Sequence, residues 1–487
     1  MADLPANEQS DEEDGRLDRR SILKYGGAGA LTAGLAGCQS PQNPAPGFPF
    51  RGQEEPPDED DDGTGETGNS DGALSGETLN VGVLAPMNLP LGRSMWNGAR
   101  QAAEELNNNG GILGANVNVK LGNTEVSPGK AQSEHRRLVL QENCDMTCGI
   151  FLGSALLQTL PSIANQETVH ITSASADPRA GKLVSKTNDD ITGEGGEAEY
   201  ERFKYHFRAG PLHLLDLADA MLEFVEANKD EYGWEKAALL TENLGEFTPY
   251  ADRLGERLSD VIEVPVSERP GGVSDWSPLF NEIEDNDCDV AIVGMALIGT
   301  TAVNQWAQQE RDFEFGGIHV PSQAFSYWES TGGNVEHVFT MNAMTPQTSN
   351  TEQTQPFVEA YREKWDSVPI YSGALTYDVI TLAEQAITAA VEGEDLEEIP
   401  DSNTLIPYLE DGTFTGSTVL SEFQFTPADA TYAHEPQWTS IEETGVPVFQ
   451  QWQKDPEVRE DYGTMHSFAP PQNKSADKTI PDWVSSN

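Results

Sequence analysis

The sequence predicts an α/β protein with parallel sheets covered by helices on both faces, arranged in two lobes. From Leu79 onward, short apolar runs alternate with segments whose apolar residues recur at three- and four-residue spacing. Such alternation, sustained over about 300 residues, implies parallel sheets with helices on both sides. A body of that length exceeds what one core serves, so it divides in two.

The elements follow in order. Residues 79–85 form an apolar strand, after which Met95, Ala99, Ala102, Ala103 and Leu106 repeat at helical spacing and stop at Asn109-Gly110-Gly111, a glycine-terminated helix. Further strands are predicted at 116–121, 146–152, 169–173, 237–241, 261–266 and 289–294, each followed by a helical segment. The acidic stretch 181–200 is predicted as a solvated loop.

Upstream of this body, residues 19–38 read RRSILKYGGAGALTAGLAGC. Arg19 and Arg20 resemble a twin-arginine export signal, and the Leu35-Ala36-Gly37-Cys38 end resembles a lipobox in which Cys38 takes a lipid. The Gly/Ala run between them would span about 20 Å as a helix, short of the roughly 30 Å hydrocarbon core, which predicts a cleaved signal over 1–37. Residues 38–77 are rich in Pro, Gly and acid and poor in aliphatic side chains, so they are predicted to be a disordered tether. A chain so processed sits on the outer face of the membrane, held by lipid on Cys38.

Acidic residues number 81 against 29 basic ones, a net charge of −52 spread along the whole chain. Such a surface repels nucleic acid, and its self-repulsion is relieved in molar salt, where the Debye length falls to about 3 Å. A halophilic protein is therefore predicted. Setting Cys38 aside leaves Cys144, Cys148 and Cys288, an odd number that gives no disulfide framework. The C-x₃-C pair has no partner ligands of zinc spacing, so a local bridge or two buried thiols is expected.

Open parallel sheets bind ligands beyond the carboxyl ends of their strands. The loops there are 86–92, Gly153-Ser154 and Ala174-Ser175-Ala176-Asp177-Pro178. The last two place hydroxyls and free amides at helix starts, which suit an anionic or polar group. Simple capping of their own helices is the alternative for each of these residues.

These residues resemble the type I solute-binding proteins of ABC importers, in the leucine, isoleucine and valine branch, of haloarchaeal lipoprotein type. The resemblance rests on VGVLAP at 81–86, NGARQAAEELNNNGGILG at 97–114, the run 149–178, Asp275-Trp276-Ser277-Pro278-Leu279, FVEAYREKW at 357–365, SGALTYDVITLAEQAI at 372–387, Phe414-Thr415-Gly416 and Phe423 through Pro427. It implies two Rossmann-like lobes joined by three hinge crossovers: 78–210 with about 341–410, and about 211–340 with about 411–470, followed by a tail at 471–487. It also implies a monomer that closes over a small solute and docks on membrane permease subunits, with neither metal nor cofactor. The ligand is expected to be a branched-chain amino acid or a related amino acid, amide or urea. By position, the ligand-binding residues become Gly153, Ser154, Ser173, Ala174, Ser175, Ala176, Phe247 and Gln323.

The chain departs from the family pattern at Ala176, where a hydroxyl residue is usual, at the Asn243-Leu244-Gly245-Glu246-Phe247 segment, where Phe247 is a shifted aromatic, and at neutral Gln323, where an acid commonly meets an ammonium. A buried ammonium without a carboxylate is costly, which leaves amides and urea beside free amino acids as ligands. No G-x-S-x-G, H-E-x-x-H or Walker lysine loop occurs, and the eight histidines lack ligand spacing, so an enzyme is not expected. A ligand-sensing receptor lipoprotein of the same fold is the alternative reading.

Overall fold

The computed structural model describes residues 72–188, 196–454 and 463–485. Arg19, Arg20, Cys38 and the tether to Asp71 lie outside these residues, as does the core of the acidic stretch at 189–195.

Two large sheets organise the body. In the first, β1 (Thr78–Ala85), β2 (Asn116–Asn123), β3 (Met146–Gly149), β4 (His170–Thr172) and β5 (His206–Arg208) are all parallel, in the order β2-β1-β3-β4-β5. In the second, β6 (Lys236–Thr241), β7 (Glu263–Glu268), β8 (Val290–Met295), β9 (Glu314–His319) and β10 (Phe339–Asn342) form the parallel part. A small hairpin, β11 (Phe414–Thr415) with β12 (Glu422–Phe423), stands apart, and β13 (Val448–Lys454) and β14 (Gly463–Ala469) complete the second sheet as β14-β13-β10-β9-β8-β6-β7. These last two strands run antiparallel, where the sequence predicts parallel sheet alone. The reason is the path of the chain: β10 ends at the hinge, and β13 starts there and runs away from it.

The helices that matter to the site are α1 (Pro90–Asn108), α2 (Pro128–Leu140), α3 (Gly153–Gln166), α4 (Arg179–Val184), α5 (Gly196–Phe203), α6 (Leu214–Tyr232), α7 (Thr248–Arg257), α8 (Ser277–Asp285), α9 (Thr300–Gln308), α10 (Tyr327–Thr331), α11 (Thr354–Trp365), α12 (Tyr371–Glu394) and α13 (Ser402–Glu410). The predicted stripe Met95, Ala99, Ala102 and Ala103 is the buried face of α1. It packs against α12 so closely that a Cβ on Gly98 would strike the backbone of Gly373, and glycine at both places lets the two helices cross. On α12, residues from Tyr371 to Val391 are buried on more than one face, as expected of a helix sunk between layers.

The chain passes between the lobes three times: from β5 into α6, from β10 into α11, and into β13. Cis peptides stand at Gly210-Pro211 and Val446-Pro447 in the first and third passages. The sequence places the last return to the second lobe at about 411, yet residues 414–437 lie beside the first sheet. There Asp378 on α12 accepts from the Thr418 amide at 2.8 Å and the Ser417 hydroxyl at 2.6 Å. The stretch 181–200 is not simply a solvated loop: α4 continues through Val184, and Tyr200 on α5 is buried and donates to Glu410 at 2.6 Å.

Cys144, Cys148 and Cys288 are free and buried. Burial pushes the Cys144 thiol up to about 12, so it is an apolar filler and not a nucleophile. No helix among the described residues is long and apolar enough to cross a membrane.

Candidate functional site

In each sheet the strand order reverses once: between β1 and β3 in the first, and between β6 and β8 in the second. Loops that leave such a point diverge to opposite faces and open a crevice at the strand ends. The two crevices face each other. The loop after β3 leads into α3 at Gly153, and the loop after β6 carries Glu246 and Phe247.

Between them lies a cavity of about 90 Å³. Its walls come from both lobes and from the passages joining them. Phe151, Ala174, Ala176, Tyr371 and Leu375 belong to the first lobe, and Glu246, Phe247, Ala296, Ile318, Val320 and Gln323 to the second. Gly210, Pro211, Leu212, Asn342, Ala343, Val446 and Pro447 line it from the passages. The lining is mostly aliphatic or aromatic carbon. Among its polar groups, the Tyr371 hydroxyl donates to Ala174 O at 3.2 Å, and Asn342 Oδ1 accepts from the Ala343 amide at 2.9 Å. Gln323, 4% exposed, donates through Nε2 to Met341 O at 3.0 Å, while its Oε1 has no partner among the described residues. A buried acceptor left open beside a cavity is a place for a ligand's N–H or O–H.

Glu246 bridges the lobes. Its carboxylate accepts from the amide of Gly153, the first residue of α3. Leu152, ahead of that helix, offers no side-chain cap, so the orphan donor at the start of α3 is met from the opposite lobe. The loop carrying Glu246 is fastened to its own lobe by Arg269, which donates to Leu244 O at 3.0 Å and to Thr248 Oγ1 at 3.1 Å. Beside the bridge, buried Asp177 takes Arg179 Nε at 2.9 Å on one carboxylate oxygen and the guanidinium Nη2 on the other. Burial first, then the Asp177 charge, push the Glu246 carboxyl up to about 8. A Cβ at Gly153 would come within 2.5 Å of Glu246 Oε2, so the contact requires glycine there.

Of the residues singled out from the sequence, Ala174, Ala176, Phe247 and Gln323 stand on the cavity wall. Gly153 is not on the wall; its amide donates to Glu246, which is. Ser154 is exposed on α3, away from the lining. Ser173 is buried with its hydroxyl 2.7 Å from Thr376 Oγ1, and Ser175 is buried and accepts from the Asp177 amide at 3.4 Å. Sequence reasoning missed Glu246, Tyr371 and the passage residues. Glu246 had a signal, an acid inside the loop after the first strand of the second lobe; the passage residues had none, because they come together only through the chain's three crossings. Among the described residues, no group of three or more His, Cys, Asp or Glu could hold a metal ion.

This architecture is shared with solved structures at low sequence identity. A Silicibacter pomeroyi protein ascribed to a branched-chain amino acid ABC transporter superposes with a TM-score of 0.67 at 18% identity, covering 84% of this chain and 100% of that one. The branched-chain amino acid binding protein LivJ of Streptococcus pneumoniae, in complex with isoleucine, gives 0.60 at 17% identity over 81% of this chain and 100% of that one. A solute-binding protein of Rhodopseudomonas palustris, in complex with 3,4-dihydroxybenzoic acid, gives 0.60 at 16% identity over 84% and 98%. No curated protein matches the chain in sequence. The family model described as periplasmic binding protein matches residues 78–474, nearly the whole described body. The chain belongs to the periplasmic binding protein family.

Proposed function

We propose that this chain is the lipid-anchored, extracytoplasmic solute-binding component of an ABC importer. It takes a small solute of the amino acid, amide or urea kind and closes its lobes over it. The observation that carries this reading is the cavity, whose wall is drawn from both lobes and from all three passages between them. A ligand shifts a hinge equilibrium only by contacting both sides of it, and a molecule in this cavity contacts both. Structural neighbours whose ligands are isoleucine and 3,4-dihydroxybenzoic acid support a small-solute role. The export motif at Arg19 and Arg20, lipid on Cys38 and the acidic tether hold the domain outside the membrane, within reach of permease subunits.

The experiment is a thermal-shift screen in molar KCl against branched-chain amino acids, glutamate, short amides, urea and sugars. A ligand at 100 times its Kd stabilises the folded state by about 2.7 kcal/mol, which raises the melting temperature measurably. A hit in the amino acid, amide or urea group supports the reading. No shift from any compound would remove it.

A further inference from the structure

The start of α3 presents an amide toward the cleft and no cap of its own. Free amides at a helix start attract an anion, and a ligand carboxylate entering this cleft would find them. Here the place is taken by the protein's own carboxylate, Glu246, reaching across from the other lobe onto Gly153. The contact is built in from both sides. Arg269 fixes the loop that carries Glu246, and Gly153 has no Cβ that would obstruct it. The nearest cation, Arg179, is already committed to Asp177. The cavity is lined mostly by carbon, with the Glu246 carboxyl itself on its wall, and among the described residues the buried acceptor Gln323 Oε1 on that wall has no partner. At about 90 Å³ the cavity restricts its occupant to a small molecule.

We propose that Glu246 sets the ligand class: by filling the α3 amide it excludes carboxylates, and the cavity takes a small, uncharged, largely apolar molecule that gives one N–H or O–H to Gln323 Oε1. A short branched amide has this chemistry. The inference rests on the solute-binding reading and narrows it.

The test compares isobutyramide with isobutyrate, which share a carbon skeleton and differ in charge, by calorimetry on the intact chain in molar KCl. Isobutyramide is expected to bind at least tenfold more tightly. Glu246→Ala, which frees the Gly153 amide, is expected to move the ratio at least tenfold toward isobutyrate. Glu246→Gln, which keeps the side chain's size and cannot ionise, serves as the second variant if the first fails to fold and should move the ratio the same way. Equal or tighter binding of isobutyrate by the wild type, or an unchanged ratio in a folded variant, would overturn the inference and leave solute binding intact. Silence of both compounds on every protein overturns it as well. Binding of isoleucine in the same experiment then preserves the solute-binding reading, and its absence takes that reading down too.

Discussion

Arg208 at the end of β5 and Glu435 in the segment leading to the third passage form an ion pair with side chains 0% and 1% exposed. Arg208 also donates to Asp177 O at 2.7 Å, so the pair is tied to the loop under the interlobe bridge. A buried pair costs heavily when one member is removed, because the survivor is left charged and unpaired. Glu435→Ala is expected to destabilise the fold by about 3–5 kcal/mol, measured by denaturant unfolding. The double replacement Arg208→Met, Glu435→Leu should cost less than the single one. A single variant within about 1 kcal/mol of wild type would mean the pair is hydrated.

Glu246 gives a pH signature. Its folded-state carboxyl is raised to about 8, while an unfolded Glu titrates near about 4.3. Between those values the folded chain holds a proton that the unfolded chain has released, so this group's contribution to stability falls as pH rises through that window. Glu246→Gln cannot titrate. The stability difference, wild type minus variant, is therefore expected to decline between about pH 5 and 8. A flat difference would place the Glu246 pKa in the ordinary range.

Gln323→Leu removes the open acceptor on the cavity wall and keeps the volume close. A neutral hydrogen bond contributes about 0.5–1.5 kcal/mol, so affinity for a ligand bearing a donor should drop by roughly two- to tenfold. Titration calorimetry reads this directly. Unchanged affinity would take Gln323 out of the contact set.

The net charge of −52 predicts a protein that stabilises with salt. Raising KCl from about 0.1 M to about 1 M shortens the Debye length from about 10 Å to about 3 Å and screens the self-repulsion. The melting temperature is expected to climb over that range. A melting temperature that falls or stays level would contradict the halophilic reading.

Cys38→Ser removes the proposed lipid attachment point. The variant is expected in the medium and the wild type in the membrane fraction, read by immunoblot. Equal distribution would mean another anchor.

The strands that were legible in the sequence are those with contiguous branched or apolar residues, such as β1, β6 and β8. β9 was not, because two of its six residues are Gly316 and Gly317. The structure explains them: a Cβ on Gly316 would run into the Phe339 ring, and Gly317, at φ +144°, abuts the Val293 backbone. Residues supplied by neighbours, and not by the strand itself, fill that part of the core. β13, with Gln450, Gln451 and Gln453, conceals itself in the same way, since the Gln451 amide is spent on His337 O at 2.7 Å and Thr479 O at 3.0 Å. Of the site, the loops after β3 and β4 could be read from strand ends and small residues. Glu246 carried only the signal of an acid in the loop after β6; what makes it matter, an uncapped helix on the opposite lobe, shows only in the fold.

The passages between the lobes, at Gly210–Leu212, Asn342–Ala343 and Val446–Pro447, are also the wall of the cavity. Container and joint are therefore one piece of chain. A substitution at these positions that reshapes the chamber also alters the joint, so under the proposed function the two are not independent. Under the proposed closure, the volume of an occupant would bear on the joint directly, since the same stretches of chain form both.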